Sequence, residues 1–284
     1  MNLTSPREVV ALLEASGIRP NKVLGQNFLI DRNILDAIVA AAELSPGDVV
    51  VEVGPGLGVL TEALLAACAR VVAVEKDVGL HRVLAARWGG EPRLELIHAD
   101  ALDVDIPGFF AAGATRLVSN LPYAVGARIV VDVATCEAAP PVMVVLLQKE
   151  VAERFAAAPG SADMGAASVW LQQRYDISIV KTVKPSCFHP RPEVTSAVIK
   201  LRRHDRHPLD ATARAALQAL TKAAFLHRRK QLAAALRDAP GGLARDAAFT
   251  RRALAACGAP ETARPEALSV EQWIALSAHW RVDS

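Results

Sequence analysis

Val49-Val50-Val51-Glu52-Val53 runs directly into Gly54-Pro55-Gly56-Leu57-Gly58, and this junction constrains the fold more than any other stretch. A β-branched run without polar alternation reads as a strand covered on both faces, the pattern of a parallel sheet. The glycines let the backbone turn sharply into an apolar helix from about Leu60 to Cys68. A second strand, Val71-Val72-Ala73-Val74, ends in Glu75. An acid about 20 positions after a glycine loop is where dinucleotide folds bind a ribose hydroxyl pair.

The glycine spacing departs from the dinucleotide fingerprint. Counted from Gly54, the third glycine of G-x-G-x-x-G falls on Val59. The loop is E-x-G-P-G-x-G, which lets a nucleoside approach the backbone at Gly54 and Gly56 without cradling a pyrophosphate. That points to S-adenosylmethionine, which carries no phosphate. A third strand, Leu94–Ile97, ends at His98-Ala99-Asp100, and an acid there can accept a hydrogen bond from an adenine amine. Taken singly, Glu75 or Asp100 is a solvated carboxylate at a strand end; the loop and both acids together form the signal.

Asn120-Leu121-Pro122-Tyr123 follows another short apolar run, Arg116–Ser119. Ligands of open α/β sheets sit outside the carboxyl ends of the strands. Asn120 offers one acceptor and two donors, Pro122 fixes its own φ and biases Leu121 toward extended backbone, and Tyr123 supplies a face for stacking a base. Such a turn can grip a planar ring bearing an exocyclic amine. The four residues alone equally fit a β-to-α loop with a packed tyrosine.

Strands are expected near 48–53, 70–75, 94–98, 115–119 and 141–147, with helices between, giving a mostly parallel sheet covered on both faces. A helix over 6–16 closes at Gly17, and Asp31 caps another bearing Ile34, Leu35, Ile38 and Val39. Ala156–Gly165 is expected to be a mobile loop. Strands near 177–184 and 194–202, joined by the proline-rich turn Pro185–Pro192, are expected as an antiparallel hairpin at a sheet edge. Beyond His204–Pro208 strand-forming runs stop, and helices are expected near 210–224, 228–237, 246–257 and 270–279. The division falls between residues 1–203 and 204–284.

With 52% hydrophobic and 22% charged residues in 284, the chain can bury a sizeable core and is not disordered. From Arg203 onward, 13 Lys and Arg face 8 Asp and Glu, so a net +5 tail follows a body of −3. A basic tail suits a phosphate-backbone partner, although a solvated helical surface explains the charge equally well. Cys68, Cys136, Cys187 and Cys257 form no C-x-x-C pair, which excludes a zinc or disulfide framework of that kind and suits a reducing compartment. The opening residues lack a secretory signal pattern, and no uncharged apolar run approaches the ~18 residues of a membrane span. A cytoplasmic protein without membrane partners is expected. His81, His98 and His189 show no metal-ligand spacing, and no metal is expected.

These motifs together resemble the ribosomal RNA adenine dimethyltransferases, in the small-subunit branch with a helical C-terminal domain. The resemblance rests on Leu24-Gly25-Gln26-Asn27-Phe28-Leu29, the Glu52–Thr61 loop, Val74-Glu75, Asp100, Asn120–Tyr123, Gln148–Val151 and Phe188–Ser196. Arg228-Arg229-Lys230 and Pro265–Ser269 extend it into the tail. It implies a Rossmann-like methyltransferase sheet plus a small helical RNA-binding domain. It also implies S-adenosylmethionine as cofactor, immature small ribosomal subunits and their RNA as partner, and a monomer. By resemblance, Asn27 and Leu29 lie over the methionine side, Gly54 touches the cofactor through its backbone, Glu75 binds the ribose and Asp100 the adenine. Asn120 stands between sulfonium and target amine, and Tyr123 and Phe188 sandwich the target adenine. Lys222, Arg228, Arg229 and Lys230 are candidates for phosphate contacts; the bland reading is cations near a helix end. After Tyr123 the chain reads Ala124-Val125-Gly126-Ala127-Arg128, where many relatives carry Asn or Ser and then Thr-Pro. An NAD(P) oxidoreductase fits less well because of Val59. A non-catalytic assembly factor would be expected to lose the cofactor residues or Asn120. A large-subunit methyltransferase of the macrolide-resistance type shares the chemistry but not the long basic tail.

Overall fold

The computed structural model describes residues 3–20 and 26–280; Lys22–Gly25 of the glycine-containing N-terminal motif lie outside them. The chain divides into two compact units, Met1–Ala152 with Asp176–Arg203, and Glu153–Tyr175 with His204–Ser284.

In the first unit, α1 (Pro6–Ala15) precedes β1 (Phe28–Leu29) and α2 (Arg32–Ala42). Then β2 (Val49–Val53), α3 (Val59–Ala67), β3 (Arg70–Glu75), α4 (Val78–Trp88), β4 (Leu94–His98), α5 (Ile106–Ala111), β5 (Arg116–Asn120), α6 (Tyr123–Thr135) and β6 (Val142–Gln148) alternate. After α7 (Lys149–Phe155) and α8 (Ala166–Gln172) come β7 (Tyr175–Val183), the short β8 (Phe188–His189) and β9 (Ser196–Arg203). The main sheet has the order β4-β3-β2-β5-β6-β9-β7. Neighbours from β4 to β6 run parallel, and β9 is antiparallel to β6. The sheet is Rossmann-like: open and mostly parallel, with the antiparallel β9 beside β6. The expected edge pair is present as neighbours, with β7 outermost and β9 covered on both sides.

The valine runs explain why the strands take helices on both faces. Val50, Val118, Val144 and Leu146 share a core with Ile34 and Ile38 of α2 and Leu60 and Leu64 of α3. Their alternates Val51, Leu117, Met143 and Val145 are equally buried, as the period of two requires when both faces are covered. Asp31 caps α2 as its sequence position suggests, accepting from the Ile34 N–H at 3.1 Å.

The second unit contains α9 (Ala211–Phe225), α10 (Leu232–Ala235), α11 (Ala247–Ala256) and α12 (Val270–Ala278) around Trp273, Leu217, Leu220 and Leu254. The expected cut at 203/204 coincides with one boundary, but Glu153–Tyr175 departs from the division at 1–203. Met164 and Val169 enter the helical core, and Trp170 Nε1 donates to Thr221 Oγ1 at 2.7 Å. The Ala156–Gly165 stretch, expected to be mobile, is tied down by the Gly160 N–H donating to the Glu266 carbonyl at 2.6 Å. The helix expected over 228–237 shrinks to Leu232–Ala235, because 226–230 forms a chain of turns closed by Lys230 N–H to His227 O at 2.8 Å. Among the described residues no helix is long and apolar enough to cross a membrane.

Candidate active site

Chain order reverses between β2 and β5: β3 and β4 lie to one side of β2, β5 and β6 to the other. A crevice opens at such a switch point, outside the carboxyl ends of the strands. It holds a cavity of about 320 Å³ lined by Asn27, Gly54, Gly56, Glu75, Asp100, Asn120 and Tyr123. Leu29, Leu121 and Pro122 also line it. Residues spread over nearly a hundred positions thus meet because four parallel strands end along one edge.

The glycine loop is shaped by close approach. Gly54 has φ +70°, and a Cβ there would stand 3.1 Å from Pro122 Cγ. Gly56 has φ +63° and packs against the Phe28 ring. The Gly54 N–H donates to Val74 O at 2.9 Å, which draws the loop over the end of β3. Glu75, only 5% exposed, accepts from the Gly56 N–H at 3.0 Å and the Asp77 N–H at 2.8 Å. Burial nevertheless pushes its carboxyl above the ordinary range. Asp100 is held below its ordinary value by the Leu102 N–H, at 3.0 Å, and by the Lys76 ammonium.

Asn120 ends β5, and its Nδ2 donates to the Asn27 carbonyl at 3.4 Å. With the nitrogen so engaged, Oδ1 is the acceptor this side chain has to offer. The Leu121 N–H continues the sheet to Leu146 O at 3.2 Å. Pro122 sits at the cap position of α6, its carbonyl accepting from Val125 and Gly126. Tyr123 is half-buried; its hydroxyl lies 2.6 Å from Ser196 Oγ. Burial raises the phenol above its usual range, offset in part by that serine.

Phe188 requires a correction. It is 1% exposed and belongs to the sheet core with Leu29, Ile34 and Val183. The cause is the pairing of β8 with β1 in the register Leu29↔Phe188, which turns both side chains inward. The ring therefore does not line the cavity opposite Tyr123, and the expected sandwich is not formed here. Leu29 is likewise 2% exposed but reaches the cavity wall.

Lys222, Arg228, Arg229 and Lys230 are all exposed on the helical unit. Arg228 is not simply a free cation: its Nη2 donates to the carbonyls of Ala162 and, at 3.5 Å, Met164.

One site residue escaped sequence reading as a chemical group. Glu52 lines the cavity yet is 1% exposed. Its Oε2 accepts from Thr61 Oγ1 at 2.7 Å. Burial, with a smaller push from the Glu75 charge, raises its carboxyl to about 8. The signal was present: a carboxyl inside a strand otherwise made of valine must have a partner or carry a proton.

A model of the ribosomal RNA adenine dimethylase family matches residues 17–275. The ribosomal RNA small subunit methyltransferase A of Geobacter metallireducens is 38% identical over 268 residues, covering 93% of this chain and 97% of that one. Its counterpart in Streptomyces coelicolor is 41% identical over 284 residues, covering 98% and 96%. Among solved structures, a dimethyladenosine transferase from Plasmodium falciparum superposes with a TM-score of 0.71 at 22% identity, covering 87% and 95%. The 23S rRNA methyltransferase ErmE does so with 0.68 at 27% identity, covering 89% and 99%.

Proposed function

The chain belongs to the ribosomal RNA adenine dimethylase family, and from that premise we propose that it transfers methyl groups from S-adenosylmethionine to the N6 amines of two adjacent adenosines in a small-subunit rRNA loop during subunit maturation. The observation that carries this reading is the position of Asn120, on the cavity wall directly across the switch point from Gly54. The small-subunit target is supported by the names of relatives 38% and 41% identical over almost the whole chain.

The cavity fits the cofactor. Its volume suits a small ligand, and Gly54, with no side chain, lines it through its backbone alone. When bound, S-adenosylmethionine supplies a methyl carbon on a positively charged sulfur. Glu75 and Asp100, at the ends of β3 and β4, would take the ribose hydroxyls and the adenine amine. Gly54, Gly56, Asn27 and Leu29 would enclose the rest.

Asn120 Oδ1 and the Leu121 carbonyl accept hydrogen bonds from the target amine. That favours a tetrahedral nitrogen whose lone pair points at the methyl carbon, rather than one conjugated with the purine. No strong general base is required, since the nitrogen becomes acidic as the new bond forms. Alignment of reactants can supply on the order of 7–11 kcal/mol. Stacking on the Tyr123 ring contributes roughly 1–3 kcal/mol, against a few kcal/mol for unstacking the base. Lys222, Arg229 and Lys230 would contact phosphates.

The test is methyl transfer from labelled cofactor to small subunits lacking the modification, with large subunits alongside, followed by mapping of the labelled bases. Label in two adjacent small-subunit adenosines is expected; label in the large subunit would redirect the reading toward the ErmE-like target. Asn120→Ala is expected to abolish transfer while RNA binding persists, and full activity would reject the role given to Asn120.

A further inference from the structure

Two carboxyls stand at the carboxyl ends of neighbouring strands on the same cavity, and they are unequally satisfied. Glu75 receives two backbone N–H groups. Glu52, more deeply buried, receives one hydroxyl, from Thr61. The other charges on the elements around Glu52 are paired elsewhere: Arg70 of β3 with Glu95, Glu62 of α3 with Arg87, and Arg116 of β5 with Asp48. β3 contributes Glu75, and the buried Cys68 thiol lies just past α3. On β5 the Ser119 hydroxyl is spent on the Val53 backbone, donating to its carbonyl at 2.6 Å, and Asn120, which lines the same cavity, is uncharged. Lys76, the nearest lysine in sequence, pairs with Asp100. Among the described residues no Lys or Arg forms an ion pair with Glu52 or Glu75.

A buried carboxylate without a cation is costly, and a carboxyl beside a like charge keeps its proton. Both conditions fall on Glu52. The cavity it lines is the one read above as the cofactor site, and S-adenosylmethionine carries positive charge on its sulfur and its α-amine.

We propose that Glu52 is a proton-linked counter-ion of this cavity: it is protonated in the empty protein and releases its proton to solvent when a positively charged nucleoside binds. The inference rests on the cofactor reading and adds to it a thermodynamic coupling. Thr61 is then the residue that keeps one oxygen fixed in both states, leaving the other to carry the exchangeable proton. The direction follows from linkage. The ionised form of Glu52 prefers the cation, so cation affinity rises with pH until the empty-site carboxyl is itself ionised, at about 8. A nucleoside without positive charge gains nothing from ionisation and takes up no part of the coupling.

The experiment is calorimetric titration of the full chain with S-adenosylmethionine in two buffers of different ionisation enthalpy, at about pH 6.5, where an α-amine stays charged. The difference in heat counts protons released. About one proton is expected for the wild type and about none for Glu52→Gln. Wild-type affinity is expected to weaken by up to about tenfold per pH unit below the titration, and the variant's to stay flat. Methylthioadenosine, which shares the nucleoside but carries no positive charge, is expected to release none. The wild-type count stands whether or not the variant folds. Binding of S-adenosylmethionine without proton release, equal release by methylthioadenosine, or release that persists in Glu52→Gln overturns the inference alone. Failure of S-adenosylmethionine to bind at all overturns the cofactor reading and this inference with it.

Discussion

Gly54 and Pro122 face each other across the switch point so closely that a Cβ on the glycine would stand 3.1 Å from the proline Cγ and 3.3 Å from its Cδ. The glycine loop after β2 and the proline turn after β5 are therefore one packed unit. Each holds the other in place, and both contribute to the cavity wall. Gly54→Ala adds a methyl at this point and forces an L side chain into φ +70°, a backbone region costing roughly 1–2 kcal/mol. A lower melting temperature and weaker S-adenosylmethionine binding are expected. Gly90→Ala, where nothing lies within 4 Å and φ is not positive, is the control and should change neither. Equal melting temperatures for the two variants would show that the packing there is not tight.

The burial of Phe188 predicts a stability phenotype before a catalytic one. Its ring is 1% exposed in the core that α2 and α3 share with the sheet. Phe188→Ala should cost about 3–5 kcal/mol, read as a fall in the denaturant midpoint. A stable variant that had lost only methyl transfer would show instead that the ring leaves the core to meet RNA.

The basic turn after α9 should separate by residue. Arg229 and Lys230 are exposed. Removing a cation that neutralises one phosphate should flatten the dependence of log affinity on log salt by about 0.7 for single-stranded RNA. Arg228 also holds the Ala162 carbonyl. Arg228→Ala is therefore expected to increase amide exchange in residues 158–164, whereas Arg229→Ala should leave exchange there unchanged. Identical effects of the two variants on exchange and salt slope would remove the distinction.

Glu52 should also appear in the pH dependence of stability. Its folded-state value, about 8, lies above the ordinary 4.5. The folded state binds more protons than the unfolded between these limits, so stability falls as pH rises through them. The melting temperature of Glu52→Gln minus that of the wild type is expected to grow from about pH 5 to about pH 8 and then level off. A constant difference over that range would mean that Glu52 is ionised in the folded protein.

What was legible in the sequence was local. A run such as Val49–Val53 has one period and one environment, so strand, depth and the mostly parallel sheet could be read together. The glycine loop and the Asn120–Tyr123 turn were legible because φ preferences and strand ends are properties of adjacent residues. The cap at Asp31 and the helix that follows Asp210 were legible on the same grounds.

Packing across long separations decided the rest. Phe188 in sequence is an aromatic beside a proline turn; only its pairing with Leu29, 159 positions away, turns it into the core. Glu153–Tyr175 precedes a sheet strand, yet the Trp170–Thr221 bond and the burial of Val169 assign it to the helical unit. Arg228 becomes a clamp because Ala162 lies within reach of its guanidinium. Glu52 becomes a titrating group because the packed sheet buries it, with a smaller push from Glu75 at the end of the next strand, and, among the described residues, no cation pairs with it in the interior. The sequence settled what each segment can be, since conformational preference is written in neighbouring residues. Which side chains face one another, and hence their charge, burial and freedom to meet a ligand, was settled only when distant segments shared one core.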